Sequence, residues 1–118
     1  MNPRTLFVYG TLAPEKAPPE IAKDVAQLQK IGRGSVRGEI HDFGAYPGAV
    51  LSKKSTGKIS GMVFELPEDQ SLLRRLDEYE EYNREKPLQS LFLRERTLVD
   101  MEDGSHRYCW IYTYNAKR

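Results

Sequence analysis

Six short runs of β-forming residues, with only two stretches of helical spacing between them, fill a chain of 118 residues. Strands so short and so closely spaced cannot support a large layered sheet; they curl into a small barrel or a strongly twisted sheet. The runs fall at residues 4–9, 36–40, 49–51, 59–66, 91–101 and 108–114. The first is continuously apolar over residues 6–9 and stops at Gly10, which predicts a strand buried on both faces and central in its sheet. Asp103-Gly104 between the last two runs is a strong hairpin signal. Pro47-Gly48 predicts a turn, and residues 53–58 a polar hairpin tip.

Two segments carry helical periodicity. After Pro19, Ile21, Val25 and Leu28 recur at spacings of four and three, which predicts a short amphipathic helix ending near Gly32. Residues 68–82 form the second and clearer helix, between Pro67 and a loop over residues 83–90. The expected fold class is α+β: a small, mainly antiparallel curled sheet or β-barrel with two flanking helices, one domain over residues 1–118.

Composition narrows the function. Lys plus Arg is 18 against 17 for Asp plus Glu, a formal net charge of +1, so no nucleic-acid backbone or anionic membrane is an expected partner. The single cysteine, Cys109, excludes an internal disulfide and argues against a cysteine-based metal site. His41 and His106 lack a second ligand at metal spacing, and read as ordinary surface or sheet residues. No apolar run reaches signal-peptide or membrane-span length, so the expected setting is cytoplasmic. The oligomeric state has no signature in the sequence.

Two places carry chemistry. Tyr9-Gly10-Thr11-Leu12 leaves a buried strand through a glycine, where successive backbone N–H groups can form a concavity for a carboxylate or oxyanion. Ordinary strand exits have the same composition, so the motif alone leaves a plain turn open. In the second helix, taking Leu72 as zero, Leu76 lies at about 40°, Leu73 at about 100°, Tyr79 at about −20° and Glu80 at about 80°. Glu80 therefore shares the core-facing stripe, while Glu78 and Glu81 lie outside it. Desolvation and the negative helix end would both raise the pKa of such a carboxylate and suit it to general acid–base work. A glutamate fraying into water is the plainer alternative.

The segments 6–12 (Leu-Phe-Val-Tyr-Gly-Thr-Leu), 46–50 (Tyr-Pro-Gly-Ala-Val), 76–80 (Leu-Asp-Glu-Tyr-Glu), 90–94 and 110–112, in this order, resemble the gamma-glutamylcyclotransferase-like (AIG2-like) family. The resemblance covers nearly the whole chain and implies a small β-barrel with flanking helices. It implies that backbone amides at Tyr9, Gly10, Thr11 and Leu12 bind the substrate's carboxylate and carbonyl groups, and that Glu80 is the catalytic acid–base. The family usually has glycine where this chain has Glu81. The implied reaction is cyclisation of a gamma-glutamyl amine or amino acid to 5-oxoproline with release of the amine, a small-molecule chemistry requiring no metal or organic cofactor. The alternative is a non-catalytic binding module for a small carboxylate metabolite. Such a module has no evident use for a buried carboxylate.

Overall fold

A computed structural model describes residues 3–9, 19, 22–42, 47–52, 54, 56–80, 82–83, 85–86, 89–90 and 92–115. The elements in chain order are β1 (Thr5–Val8), α1 (Ala22–Val25), β2 (Gln29–Asp42), β3 (Pro47–Leu51), β4 (Lys58–Glu65), α2 (Ser71–Tyr79), β5 (Phe92–Met101) and β6 (His106–Tyr114). The strands form one sheet in the order β3-β2-β4-β1-β6-β5. A further pairing of Gly34 with Met101 and Ser35 with Asp100 joins β2 to β5, closing β2-β4-β1-β6-β5 into a ring. This is the expected barrel. All pairings are antiparallel except β1 with β6.

The closed ring separates two apolar clusters. One fills the barrel with Phe7, Val36, Ile59, Val63, Val99, Cys109 and Ile111. The other lies between the outer wall and the helices, and contains Leu6, Val8, Val25, Phe64, Leu72, Leu76 and Tyr112. Successive strand residues point to opposite faces, so β1 must be apolar at Leu6, Phe7 and Val8 alike to serve both clusters. All four of its residues are buried. That is the physical reason for the unbroken apolar run, and β1 is central as expected, between β4 and β6.

Three sequence expectations need correction. Helix α1 is only four residues long, and Gln29 and Lys30 already pair with Glu65 and Phe64 of β4. Three apolar residues at helical spacing are too few to outweigh a strand partner, because isolated helical turns are marginal. Strand β2 instead runs through a register shift between Lys30 and Gly32. Pro47-Gly48 is not a turn but the start of β3, pairing with Asp42 and His41. Proline is tolerated at the first residue of an edge strand, which β3 is. Helix α2 spans Ser71–Tyr79 rather than residues 68–82. Among the described residues, no helix is long and apolar enough to cross a membrane.

Barrel closure depends on close backbone approach at Gly34 and Gly61, which face each other across β2 and β4. A Cβ at Gly61 would stand 2.5 Å from the Val8 carbonyl oxygen and 2.6 Å from Phe7 Cζ; one at Gly34 would stand 2.5 Å from Val99 Cγ1. The Val8 backbone cannot yield without disturbing β1. Gly61→Ala is therefore expected to destabilise the fold by about 1–3 kcal/mol in urea unfolding. Gly32→Ala, which would meet only Met101 Cε at 3.7 Å, should stay within about 0.5 kcal/mol of wild type.

Candidate active site at the barrel mouth

Just before helix α2, one residue ahead of its N-cap Gln70, the Asp69 carboxylate accepts the Ser71 N–H at 2.9 Å. Those Ser71 hydrogen bonds hold the Asp69 carboxyl below its ordinary range. Leu72, Leu73 and Leu76 then face the barrel wall. The helix ends at Tyr79. Glu80 is its C-cap at φ −82°, ψ 4°, with its N–H on the Leu76 carbonyl at 2.9 Å. The Asp77 carbonyl is taken by the Tyr82 N–H at 2.8 Å, which turns the chain away from the helix axis. Three glutamates at positions 78, 80 and 81 crowd the negative end of the dipole, so a longer helix is disfavoured.

Glu80 is half-buried there, and its charge is felt by two phenols. Burial chiefly pushes the Tyr9 hydroxyl well above the ordinary tyrosine range; the Ala49 N–H opposes this, and the negative charge of Glu80 adds to it. Tyr112 is pushed up further, by burial first, then by the charge and hydrogen bond of Asp77, with Glu80 again adding and Arg94 opposing. The end of α2 is thus near enough to the end of β1 for the Glu80 charge to bear on Tyr9. Gly10, Thr11 and Leu12 lie outside the described residues, as do Tyr46 and Glu81.

The Tyr9 side chain is a brace. Its hydroxyl accepts the Ala49 N–H at 3.1 Å and donates to the Tyr112 carbonyl oxygen, tying β1, β3 and β6 together. Beneath it lies a network that spacing alone did not single out. Asp77 Oδ1 accepts the Tyr112 hydroxyl at 2.7 Å and Arg94 Nε at 2.8 Å. The Arg94 guanidinium carbon also stands 4.3 Å from the centroid of the Trp110 ring, a cation–π contact. On a helical wheel Asp77 falls at about 140° from Leu72, outside the apolar arc. Its burial is created by Arg94, and only the pairing of β5 with β6 places Arg94 opposite Tyr112.

The remaining candidates settle elsewhere. Cys109 is fully buried in the barrel, its thiol pushed up by burial. His41 lies 3.3 Å from Glu39, and His106 2.8 Å from Asp100, both in exposed surface pairs. Among the described residues no group of three or more His, Cys, Asp or Glu is arranged to hold a metal ion.

Two outcomes are expected for the tyrosines. Tyr9→Phe leaves the Ala49 N–H and the Tyr112 carbonyl without that partner, so thermal or urea unfolding should show a loss of about 1–3 kcal/mol. Tyr108→Phe, at an exposed position, should change stability by less than about 0.5 kcal/mol. In an alkaline spectrophotometric titration, at least Tyr9 and Tyr112 of the seven tyrosines should stay neutral beyond the ordinary value of 10.0. Because the folded-state values are raised, the stability they contribute is present below pH 10 and is lost as pH rises above it, when the unfolded chain ionises first.

Comparison with known proteins gives this geometry a family. The chain is 33% identical over 111 residues to gamma-L-glutamyl-butirosin B gamma-glutamyl cyclotransferase of Niallia circulans, covering 93% of this chain and 66% of that protein. The chain thus spans just under two thirds of that curated relative. Its fold is similar to that of YkqA from Bacillus subtilis (TM-score 0.69, 26% identity), over 98% of this chain and 36% of that one. It is also similar to an AIG2-like protein from Mus musculus (TM-score 0.72, 21% identity), over all of this chain and 80% of that one. Residues 6–118 match the family described as gamma-glutamyl cyclotransferase, AIG2-like. With that match over almost its full length, the chain belongs to the gamma-glutamyl cyclotransferase, AIG2-like family.

Proposed function

We propose that this protein is a gamma-glutamyl cyclotransferase, converting a gamma-glutamyl amine or gamma-glutamyl amino acid to 5-oxoproline and the free amine. What supports the reading is the family match over residues 6–118, together with a half-buried Glu80 at the end of α2 whose charge bears on Tyr9, the residue that follows β1. The substrate's α-ammonium must lose a proton before its nitrogen can attack the gamma-carbonyl. Glu80 takes that proton. The α-nitrogen bonds to the gamma-carbon and sheds a second proton, the gamma-carbon–amine bond breaks, and Glu80 passes the two protons in turn to the departing nitrogen, which leaves as an ammonium ion. Backbone amides of Tyr9, Gly10, Thr11 and Leu12 hold the substrate's carboxylate and its developing oxyanion. Both reacting groups belong to one molecule, so holding it bent supplies much of the acceleration.

The Tyr9 phenol is not the acid or base in this scheme. It is engaged at both its donor and an acceptor position, and its ionisation is pushed far from neutral pH. Its work is to hold the strand end from which the binding loop departs. The relative from Niallia circulans is named for a gamma-glutamyl group carried on butirosin B, which supports a gamma-glutamyl amine as one substrate class to test.

The test is 5-oxoproline release across a panel of gamma-glutamyl amines and amino acids, with wild type beside Glu80→Gln and Glu81→Gly. Glu80→Gln should keep its melting temperature and lose about 10²- to 10⁴-fold in turnover. Glu81→Gly should retain activity, since glycine is the residue the family usually has at that position. A folded Glu80→Gln with most of its activity contradicts the assignment. A binding module would bind 5-oxoproline while releasing none from any member of the panel.

A further inference from the structure

A buried pair of opposite charges stands behind Glu80, and the proposed reaction makes no direct use of it. Asp77 precedes Glu80 by three residues, so the two share neighbouring positions at the same helix end. Its carboxylate is held by Arg94 Nε at 2.8 Å and by the Tyr112 hydroxyl at 2.7 Å. The side chains of Asp77 and Arg94 are only 11% and 10% exposed. A barrel needing only packing here would be served by apolar side chains, because a buried ion pair gives little net stability over a hydrophobic replacement. The network is also continuous with the mouth: Asp77 holds Tyr112, whose carbonyl oxygen receives the Tyr9 hydroxyl.

Resting on the reading of Glu80 as the acid–base, we propose that Asp77 and Arg94 are positioning residues for it: a charge-balanced pair that anchors the end of α2 and sets the pH range in which Glu80 exchanges its proton. With both charges present, their effects on Glu80 largely cancel. Without the Asp77 charge, Arg94 favours the ionised form of Glu80; without the Arg94 charge, Asp77 favours the protonated form. Among the described residues, the groups around this end include the Tyr9 phenol just after β1, the Tyr112 phenol of β6, Tyr79 of α2, and Tyr82, whose ring centroid lies 5.7 Å from the Arg94 guanidinium carbon. Burial keeps Tyr9 and Tyr112 neutral across the acidic and neutral range. Glu78 on α2 and Lys23 on α1, which packs against α2, are exposed and solvent-screened.

The experiment is a carbon-13 NMR titration of Glu80 in protein labelled at the glutamate carboxyl carbons, with the resonance assigned by its loss in Glu80→Gln. Asp77→Asn keeps an acceptor for Tyr112 and Arg94, and Arg94→Gln keeps an N–H donor for Asp77, so each variant changes charge more than shape. Asp77→Asn should lower the Glu80 midpoint by roughly one pH unit, and Arg94→Gln should raise it by a similar amount. The double variant should return it to within about 0.3 units of wild type. The acid limb of kcat/KM should move in the same directions. If one single variant fails to fold, the direction of the other decides. Folded variants whose Glu80 midpoint stays put, or moves the same way in both, overturn the inference and leave the pair a structural buttress. The titration needs no substrate, so it stands apart from the test of the reaction: an active Glu80→Gln removes the acid–base reading, whatever the midpoints do.

Discussion

Strand β1 has neither a free edge nor a free face, and the molecule is organised around that constraint. It pairs with β4 on one side and β6 on the other, while Leu6 and Val8 face the helices and Phe7 faces the barrel interior. Full burial of each such side chain contributes about 1.5–3 kcal/mol, which holds four residues where a short strand would otherwise fray. The end of β1 is therefore held in one defined place. Tyr9 follows it, and its brace to Ala49 and Tyr112 extends that rigidity to β3 and β6.

Helix α2, which leads to Glu80, is fixed by a different means. Leu72 and Leu76 set its rotation against the barrel wall, but nine residues of apolar stripe leave the helix end free to tilt. Asp77 removes that freedom through bonds to two neighbouring strands, β5 and β6. Removing one partner of such a buried pair typically costs about 3–5 kcal/mol, because it strands the other charge. Stability and site geometry are therefore linked at the same carboxylate. Removal of the charge with the geometry kept, rather than simple loss of a side chain, is what separates the two roles.

Much of this was legible from residue order. The continuous apolar run predicted a central β1, and the Leu72, Leu73 and Leu76 stripe predicted the face that α2 lays on the barrel wall. Those features are local, set by a period of two or 3.6 residues. What escaped was non-local. Gln29 and Lys30 are strand because β4 is there to pair with them, and Pro47-Gly48 is extended because β2 continues far enough to meet it. Asp77 lies about 140° from Leu72 on the helical wheel, outside the apolar arc, so spacing gives no sign that it is buried. Only the register that sets Arg94 opposite Tyr112 reveals it as a buried anchor.

The account's central claim is a contact between Glu80 and the nitrogen that closes the ring. In the product 5-oxoproline that nitrogen survives as the lactam N–H, so a crystal structure of the protein with 5-oxoproline bound reads the claim directly. The account predicts the lactam N–H within hydrogen-bond distance of the Glu80 carboxylate, with the ligand's own carboxylate on the backbone amides of Gly10, Thr11 and Leu12. A 5-oxoproline molecule bound away from Glu80, or seated at the mouth with its carboxylate rather than its nitrogen toward Glu80, would contradict it.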